Sequence, residues 1–152
     1  MGLLQDGKWV DQWYDTSATG GHFVRKAPQF RNWITVDGNA GPSGNDGFKA
    51  EIGRYHLYIS HACPWAHRTA IFRYLKKLDS MISISVVHWH MAASGWTFDP
   101  AEGVISDSVN GAQAVHQIYT KAVSNYSGRV TVPVLWDKKT NTIVSNLSLI
   151  HI

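Results

Sequence analysis

Residues 55–69 read YHLYISHACPWAHRT. The first six residues are rich in β-prone side chains and predict a strand. Cys63 and Pro64 follow at once, and proline is well tolerated in the first turn of a helix. The stretch therefore predicts a strand that passes into a helix, with Cys63 at the junction.

The predicted helix covers residues 65–78. Apolar residues at helical spacing give it one apolar face, formed by Ile71, Phe72, Leu75 and Leu78. Lys76 and Lys77 lie in its last turn, where positive charge complements the helix dipole.

Further elements follow in a regular order. Residues 81–88 predict a second, buried strand, residues 89–108 a long loop, and residues 109–123 a second helix. Residues 131–136 and 141–144 predict two more strands joined by a polar turn. The order β-α-β-α-β-β places the chain in the α/β class.

The first 53 residues differ in character. Turn signals built on glycine interrupt them repeatedly. Aromatic residues are spread between the turns: Trp9, Trp13, Tyr14, Phe23, Phe30 and Trp33. We predict an extended N-terminal arm over residues 1–53 whose aromatic side chains pack onto a domain or a partner, followed by one domain over residues 54–146.

Composition limits the possible classes of protein. The chain has 152 residues, of which 44% are hydrophobic and 16% charged, as is typical of a domain with a packed core. Its net charge of +3 comes from scattered cations, which argues against a nucleic-acid partner. No apolar run approaches the ~20 residues that span a bilayer, and no secretory signal opens the chain. With one cysteine and no internal disulfide, we expect a cytoplasmic protein without a membrane partner.

Cys63 is the candidate nucleophile. Backbone amides and the dipole at a helix N-terminus stabilise a thiolate, and His61, His67 and Arg68 lie close in sequence. The alternative is a buried, inert cysteine, but the junction favours a reactive thiol. Ala66 occupies the usual position of a resolving cysteine, so the second thiol must come from another molecule. Glutathione is the abundant cytoplasmic candidate.

The Val132-Pro133 step interrupts a predicted strand, where proline is disfavoured except at an edge, a bulge or a special turn. An ordinary edge-strand proline is the alternative. Together with the Cys-Pro helix start, a proline this late in the β-α-β-α-β-β order is typical of the thioredoxin fold. In that fold a cis bond directs the backbone of the preceding residue toward the ligand.

Several segments resemble a known family. Residues 55–69, GWTF at 95–98 and SGRVTVPVLWD at 127–137 closely resemble the glutathionyl-hydroquinone reductases, which are the xi-class glutathione transferases. WYD at 13–15 and FRNW at 30–33 are similar to the N-terminal arm of that family. The likeness covers nearly the whole chain and implies a thioredoxin-like glutathione transferase N-terminal domain.

The resemblance implies a glutathione-dependent reduction of S-glutathionyl hydroquinones, with glutathione as co-substrate and no metal. Cys63 would attack the glutathione sulfur of the substrate, release hydroquinone and form a mixed disulfide that a second glutathione resolves. Two alternatives stay open. One is an omega-like or glutaredoxin-like thiol transferase acting on protein mixed disulfides or dehydroascorbate, and the other is a non-catalytic glutathione-binding module.

The family pattern also implies roles for individual residues. Trp96 would pack on glutathione, Arg129 would supply positive charge, and Pro133 would be the cis-proline. Ser148 matches the serine of the family's Glu-Ser pair, whereas Leu147 occupies the glutamate position, so the usual grip on the γ-glutamyl ammonium group is missing. Three consecutive residues would pair their backbone with the glutathione peptide: Val130, Thr131 and Val132.

Residues 147–152 depart from the family and are predicted to be a non-family tail. The resemblance implies that this truncated chain lacks the final thioredoxin helix and the helical C-terminal domain, which carries most of the family's dimer interface. We expect the longer parent to be a homodimer and the present chain to be inactive alone. We also expect one sheet face, that of Val134, Trp136 and Val144 or of their strand neighbours, to be partly exposed.

Eight histidines raise a metal alternative. His88 and His90 would share one face of a continuing strand, but no further ligands stand at zinc-like spacing. We predict no metal site.

Overall fold

The structure is a computed structural model that describes residues 2–12, 16–22, 24, 27–42 and 44–147. The predicted site residue Ser148 lies outside these residues, as do the predicted aromatic anchors Trp13, Tyr14 and Phe23.

Strands form most of the regular structure in the described part of the chain. In chain order they are β1 (Leu3–Gln5), β2 (Lys8–Val10), β3 (Trp33–Thr35), β4 (Gly47–Lys49), β5 (Tyr55–Ile59), β6 (Ile82–Val86), β7 (Gly128–Arg129), β8 (Val134–Asp137) and β9 (Thr142–Ser145). The helices are α1 (Pro64–Leu75) and α2 (Val115–Ala122), and a single 3-10 turn covers Ser17–Thr19. Neither α-helix is long and apolar enough to cross a membrane.

The central sheet has the strand order β6-β5-β8-β9. Strands β5 and β6 are parallel and joined through α1, whereas β8 runs antiparallel to β5 and β9 antiparallel to β8. This arrangement confirms the predicted thioredoxin-like fold. Every residue of β5 is buried, so the strand that leads to Cys63 lies at the centre of the core.

The N-terminal segment adds two small sheets to this core. Strands β1 and β2 form a hairpin, and β1 also pairs with β7, while β3 and β4 pair with each other in parallel. Trp9 stacks on His116 of α2, and Phe30 stacks on Tyr126. These aromatic side chains therefore pack onto the domain, as predicted.

Helix α1 differs from its prediction in its end and in its buried face. It ends at Leu75, and the backbone of Lys77 adopts a left-handed conformation with φ of 55°. Three of the four residues of the predicted apolar face are exposed, with Leu75 retaining 66%, Ile71 43% and Phe72 37% of its accessible surface. Leu78, beyond the end of the helix, packs against the core. The helix instead packs on the sheet through the small residues Ala66 and Thr69, which allow close approach.

Helix α2 begins at Val115, six residues later than predicted. The carboxylate of Asp107 explains the delay, because it accepts hydrogen bonds from the backbone amides of Val109, Asn110 and Ala112. These bonds fold residues 107–112 into a turn, and local side-chain bonds of this kind compete with helix formation.

Strand β8 begins at Val134, three residues later than predicted. Pro133 has no amide hydrogen to give to a strand neighbour. The expected partial exposure of one sheet face is wrong. Val134, Trp136 and Val144 each have 0% of their surface exposed, and their strand neighbours Leu135 and Ile143 are buried too. Their neighbour Leu135 helps to line an apolar cavity of about 250 Å³ on the opposite face of β8.

Candidate functional site

Cys63 lies at the carboxyl end of the central strand and at the N-cap of α1. Its backbone is extended, with φ of −99° and ψ of 112°, and Pro64 follows in the first turn. The carbonyl of Cys63 accepts a hydrogen bond of 2.9 Å from the amide of His67. The structure therefore confirms the predicted strand-to-helix junction, and the Cys63 side chain is only partly buried.

Val132 provides the contact to the thiol. The Cys63 Sγ donates a hydrogen bond of 3.6 Å to the carbonyl oxygen of Val132. The Val132–Pro133 peptide bond is cis, as predicted. Val132 is 5% exposed and Pro133 is buried. The fold thus brings together two segments that are 69 residues apart.

The predicted positive groups around Cys63 face solvent. His61, His67 and Arg68 are all exposed. The guanidinium of Arg68 lies over the ring of Trp65, 5.2 Å from its centroid. Water and salt screen exposed charges, so the effect of these side chains on Cys63 is weakened.

Trp96 is half-buried and lies in the loop before α2. Its carbonyl accepts a hydrogen bond of 2.9 Å from the amide of Val115, the first residue of that helix. Trp96 and Cys63 both pack against the core cluster that contains Val130 and Val132. Both side chains are therefore anchored to the core of the domain.

Arg129 lies in β7, where it is paired with Leu3 of β1. Its carbonyl accepts a hydrogen bond of 3.1 Å from the hydroxyl of Tyr126. The predicted site residue is therefore held by the N-terminal hairpin, which the sequence marked only as an arm.

The N-terminal hairpin also braces the Trp96 loop. The indole nitrogen of Trp9 donates a hydrogen bond of 2.9 Å to the carbonyl of Ala93. A Cβ atom added to Gly95 would lie 2.7 Å from the Trp9 ring, which shows how closely the two approach. Nothing in the local sequence distinguishes Trp9 from the other tryptophans, so this role was not predicted.

Tyr119 is a second residue whose position near the site was missed. It is fully buried in α2, and its hydroxyl contacts Thr131 and Asn146. The sequence predicted only that this position belongs to a helix. The available signal was the hydroxyl itself, because a buried tyrosine usually needs a hydrogen-bond partner.

The histidines after β6 do not form a metal site in the structure. The amide of His90 donates a hydrogen bond of 3.0 Å to Nδ1 of His88. Among the residues that the structure describes, no group of three or more His, Cys, Asp or Glu side chains is arranged to hold a metal ion.

Comparison with known proteins agrees with this geometry. The sequence model of the glutathione S-transferase N-terminal domain matches residues 62–150. The chain belongs to this family. Its similarity to the glutathionyl-hydroquinone reductases, first indicated by residues 55–69, is also confirmed.

Two curated relatives of this glutathione S-transferase domain carry that name. Glutathionyl-hydroquinone reductase YqjG of Escherichia coli is 58% identical over 97% of this chain and 45% of its own length. Glutathionyl-hydroquinone reductase PcpF of Sphingobium chlorophenolicum is 51% identical over 97% of this chain and 44% of its own length. The chain thus spans less than half the length of these relatives.

A solved structure supports the fold assignment of the domain. The glutathione-bound structure of YqjG from Escherichia coli K-12 matches with a TM-score of 0.81 and 51% sequence identity. The match covers 95% of this chain and 42% of the YqjG chain.

Proposed function

We propose that the whole protein containing this chain reduces S-glutathionyl hydroquinones at the expense of glutathione, with Cys63 as the nucleophile. The similarity to two glutathionyl-hydroquinone reductases across nearly the whole chain carries the proposal. The position of Cys63 at a helix N-terminus supports it, because backbone amides there favour a thiolate.

In the first step, the Cys63 thiolate attacks the glutathione sulfur of the substrate. The bond between that sulfur and the ring carbon breaks, and its electron pair stays on the ring carbon, which takes up a proton. Hydroquinone leaves, and Cys63 is left in a mixed disulfide with glutathione.

In the second step, the thiolate of a free glutathione attacks the glutathione sulfur of that mixed disulfide. Oxidised glutathione leaves and the Cys63 thiolate is restored. The balance is one thioether and one glutathione consumed, with one hydroquinone and one oxidised glutathione formed. The described residues contain no second cysteine, so the resolving thiol comes from glutathione.

The glutathione peptide would lie between Cys63 and the Trp96 loop. In this proposal the Trp96 ring packs on glutathione, Arg129 attracts its carboxylates, and the backbone of Val130 and Val132 pairs with its peptide groups ahead of Pro133. The Thr131 amide was predicted to join them, but it is already bonded to the hydroxyl of Tyr119. Ser148 would contact the γ-glutamyl group. Leu147 has no charge to offer the γ-glutamyl ammonium, so we expect weaker binding of glutathione than a glutamate there would give.

We further propose a homodimer without a metal, located in the cytoplasm, where a reducing environment suits a protein that depends on a free thiol. The turnover test compares three acceptors in the presence of glutathione: an S-glutathionyl hydroquinone, dehydroascorbate and a protein mixed disulfide. We expect the hydroquinone thioether to be the preferred substrate and Cys63→Ala to abolish its turnover. Preference for either of the other acceptors would favour a thiol transferase instead, and activity in Cys63→Ala would overturn the mechanism.

A further inference from the structure

We infer that Tyr119 is a positioning residue of the glutathione site, acting through Thr131 on the Val132 backbone beside Cys63. This inference rests on the glutathione site of the proposed function and not on its hydroquinone acceptor. Tyr119 is completely buried in α2, and its hydroxyl bonds Thr131 and Asn146 rather than Cys63 or Val132. Its effect on the site is therefore indirect.

The Tyr119 hydroxyl satisfies both backbone groups of Thr131. It donates a hydrogen bond of 3.0 Å to the Thr131 carbonyl. It also accepts one of 3.3 Å from the Thr131 amide. The next residue is Val132, whose carbonyl accepts the hydrogen bond from the Cys63 thiol. One side chain thus supplies hydrogen bonds to both backbone groups of a residue that lies outside the strands.

The same hydroxyl binds the segment that follows β9. It accepts a hydrogen bond of 3.2 Å from the side-chain amide of Asn146. The hydroxyl oxygen has one hydrogen and two lone pairs, which suffice for the bond to the Thr131 carbonyl and the bonds from the Thr131 and Asn146 amides. The Thr131 hydroxyl lies 3.3 Å away and competes for the same positions. Tyr119 therefore connects α2, the segment before Pro133 and the end of β9.

The surroundings hold the Tyr119 ring in place. Phe30 packs edge-on against it, with ring centroids 6.0 Å apart. The ring centroid of Tyr126 lies 5.0 Å from that of Tyr119. Burial raises the pKa of Tyr119, so the hydroxyl keeps the hydrogen that it donates. A rigid, fully bonded hydroxyl at this point fixes the backbone that would meet glutathione.

The experiment uses the whole protein and two reagents for Cys63. Oxidised glutathione forms the Cys63–glutathione mixed disulfide by thiol–disulfide exchange, releasing one glutathione thiolate. It needs the glutathione site but no hydroquinone. Iodoacetamide reacts with the same thiol and needs no glutathione site. The ratio of the two rates therefore reports on the site alone.

We expect Tyr119→Phe to lower this ratio by about threefold to tenfold, the effect of losing a typical hydrogen bond. Amide hydrogen exchange at Thr131 and Val132 should accelerate in the same variant. The matched control is Tyr55→Phe, which removes a buried hydroxyl that donates to the Lys49 carbonyl at the far end of β5. That control should leave the ratio and the exchange at Thr131 unchanged.

An unchanged ratio in Tyr119→Phe, or an equal loss in Tyr55→Phe, would overturn the inference. If Tyr119→Phe does not fold, Asn146→Ala removes one of the same hydrogen bonds and should lower the ratio by a smaller factor. A parent protein that reacts with oxidised glutathione but not with a glutathionyl hydroquinone would instead contradict the proposed function and leave this inference standing.

Discussion

The indole ring of Trp9 stacks on the imidazole ring of His116, with ring centroids 5.0 Å apart and planes 19° from parallel. Trp9 belongs to the N-terminal hairpin, and His116 lies in the first turn of α2. The hairpin is therefore part of the structure around the candidate site rather than an appendage to it.

Replacing Trp9 by alanine should destabilise the protein. Trp9 is half-buried, so the loss should lie below the 3–5 kcal/mol typical of a fully buried tryptophan, at about 2 kcal/mol. Trp9→Phe keeps an aromatic ring for His116 but loses the hydrogen bond to Ala93, and should cost about 1 kcal/mol. Urea unfolding of both variants measures these values. A Trp9→Ala protein as stable as the parent would show that the hairpin is peripheral.

Gly95 offers a second test of the same contact. Its φ is +74°, and an added Cβ atom would meet the Trp9 ring at 2.7 Å. Gly111 has a similar φ of +67° but nothing within 4 Å of an added Cβ atom. We expect Gly111→Ala to cost about 1–2 kcal/mol, from its left-handed backbone alone.

Gly95→Ala should cost more than Gly111→Ala, because the clash adds to the same backbone penalty. The excess should shrink when Gly95→Ala is combined with Trp9→Leu, since the shorter side chain leaves room. Equal costs for the two alanine variants would contradict the close approach of Trp9 and Gly95.

The ion pair of Arg54 and Asp137 should stabilise the end of the sheet away from Cys63. Asp137 is fully buried, and Arg54 donates to it through Nε at 2.8 Å and Nη2 at 2.6 Å. Burial alone would raise the pKa of Asp137, but hydrogen bonds from Arg54 and Thr140 hold it below its ordinary value.

Arg54→Met leaves this carboxylate buried without its charged partner, and the loss should be about 3–5 kcal/mol. Lys139→Met is the matched control, because Lys139 pairs with Glu51 at the exposed end of the same network and should cost less than about 1 kcal/mol. Thermal and urea unfolding compare the two variants. Similar losses in both would argue that the buried pair contributes nothing beyond surface charge.

His56 is a fully buried histidine between two serines. Its Nδ1 lies 2.7 Å from the Ser83 hydroxyl, and its Nε2 lies 2.9 Å from the Ser85 hydroxyl. Because Ser85 donates its hydrogen to the carbonyl of Ser106, Nε2 must be the protonated nitrogen, and Nδ1 accepts from Ser83. The neutral ring is thus fully hydrogen-bonded.

Burial lowers the pKa of His56 from 6.5 to about 4, with Asp107 opposing the shift and Lys138 and Arg73 adding to it. Between these values the unfolded chain binds a proton that the folded chain does not. The free energy of unfolding should therefore fall by up to about 3 kcal/mol as the pH drops from 6.5 to 4. Above pH 6.5 His56 should add nothing to the pH dependence of this free energy.

The variant His56→Gln should flatten this part of the pH profile, whereas His90→Gln, at an exposed position, should leave it unchanged. Urea unfolding between pH 4 and pH 8 supplies the measurement. The same slope in parent and His56→Gln would assign the effect to other groups.

The sequence predicted the parts of this fold that depend on neighbouring residues. The junction at Cys63 and the order of elements follow from local propensity and from the place of Pro64. The start of α2 could not be predicted in this way, because it depends on the hydrogen bonds that the carboxylate of Asp107 accepts from the backbone amides of the following residues. Such competition between a side chain and a helix is not visible in a periodic pattern.

The apolar face predicted for α1 differs from the buried face for another reason. Apolar spacing identifies the apolar face of a helix but does not show which face packs on the sheet. In α1 the small residues Ala66 and Thr69 are the buried ones. The contacts of Trp9 and Tyr119 were missed because they join separate elements of the fold. Trp9 bonds a residue 84 positions away, and Tyr119 bonds residues 12 and 27 positions away. The candidate nucleophile and its cis-proline were predictable because each belongs to a short motif.

The mass of the intact protein, measured after reaction with an S-glutathionyl hydroquinone in the absence of free glutathione, reports on the proposed mixed disulfide at Cys63. We predict the addition of one glutathione at Cys63, the release of one equivalent of hydroquinone, and reversal of the mass change when glutathione is added. Cys63→Ser should show no adduct. Release of hydroquinone by the Cys63→Ser protein, or by the parent without any glutathione bound at Cys63, would contradict the mixed-disulfide mechanism.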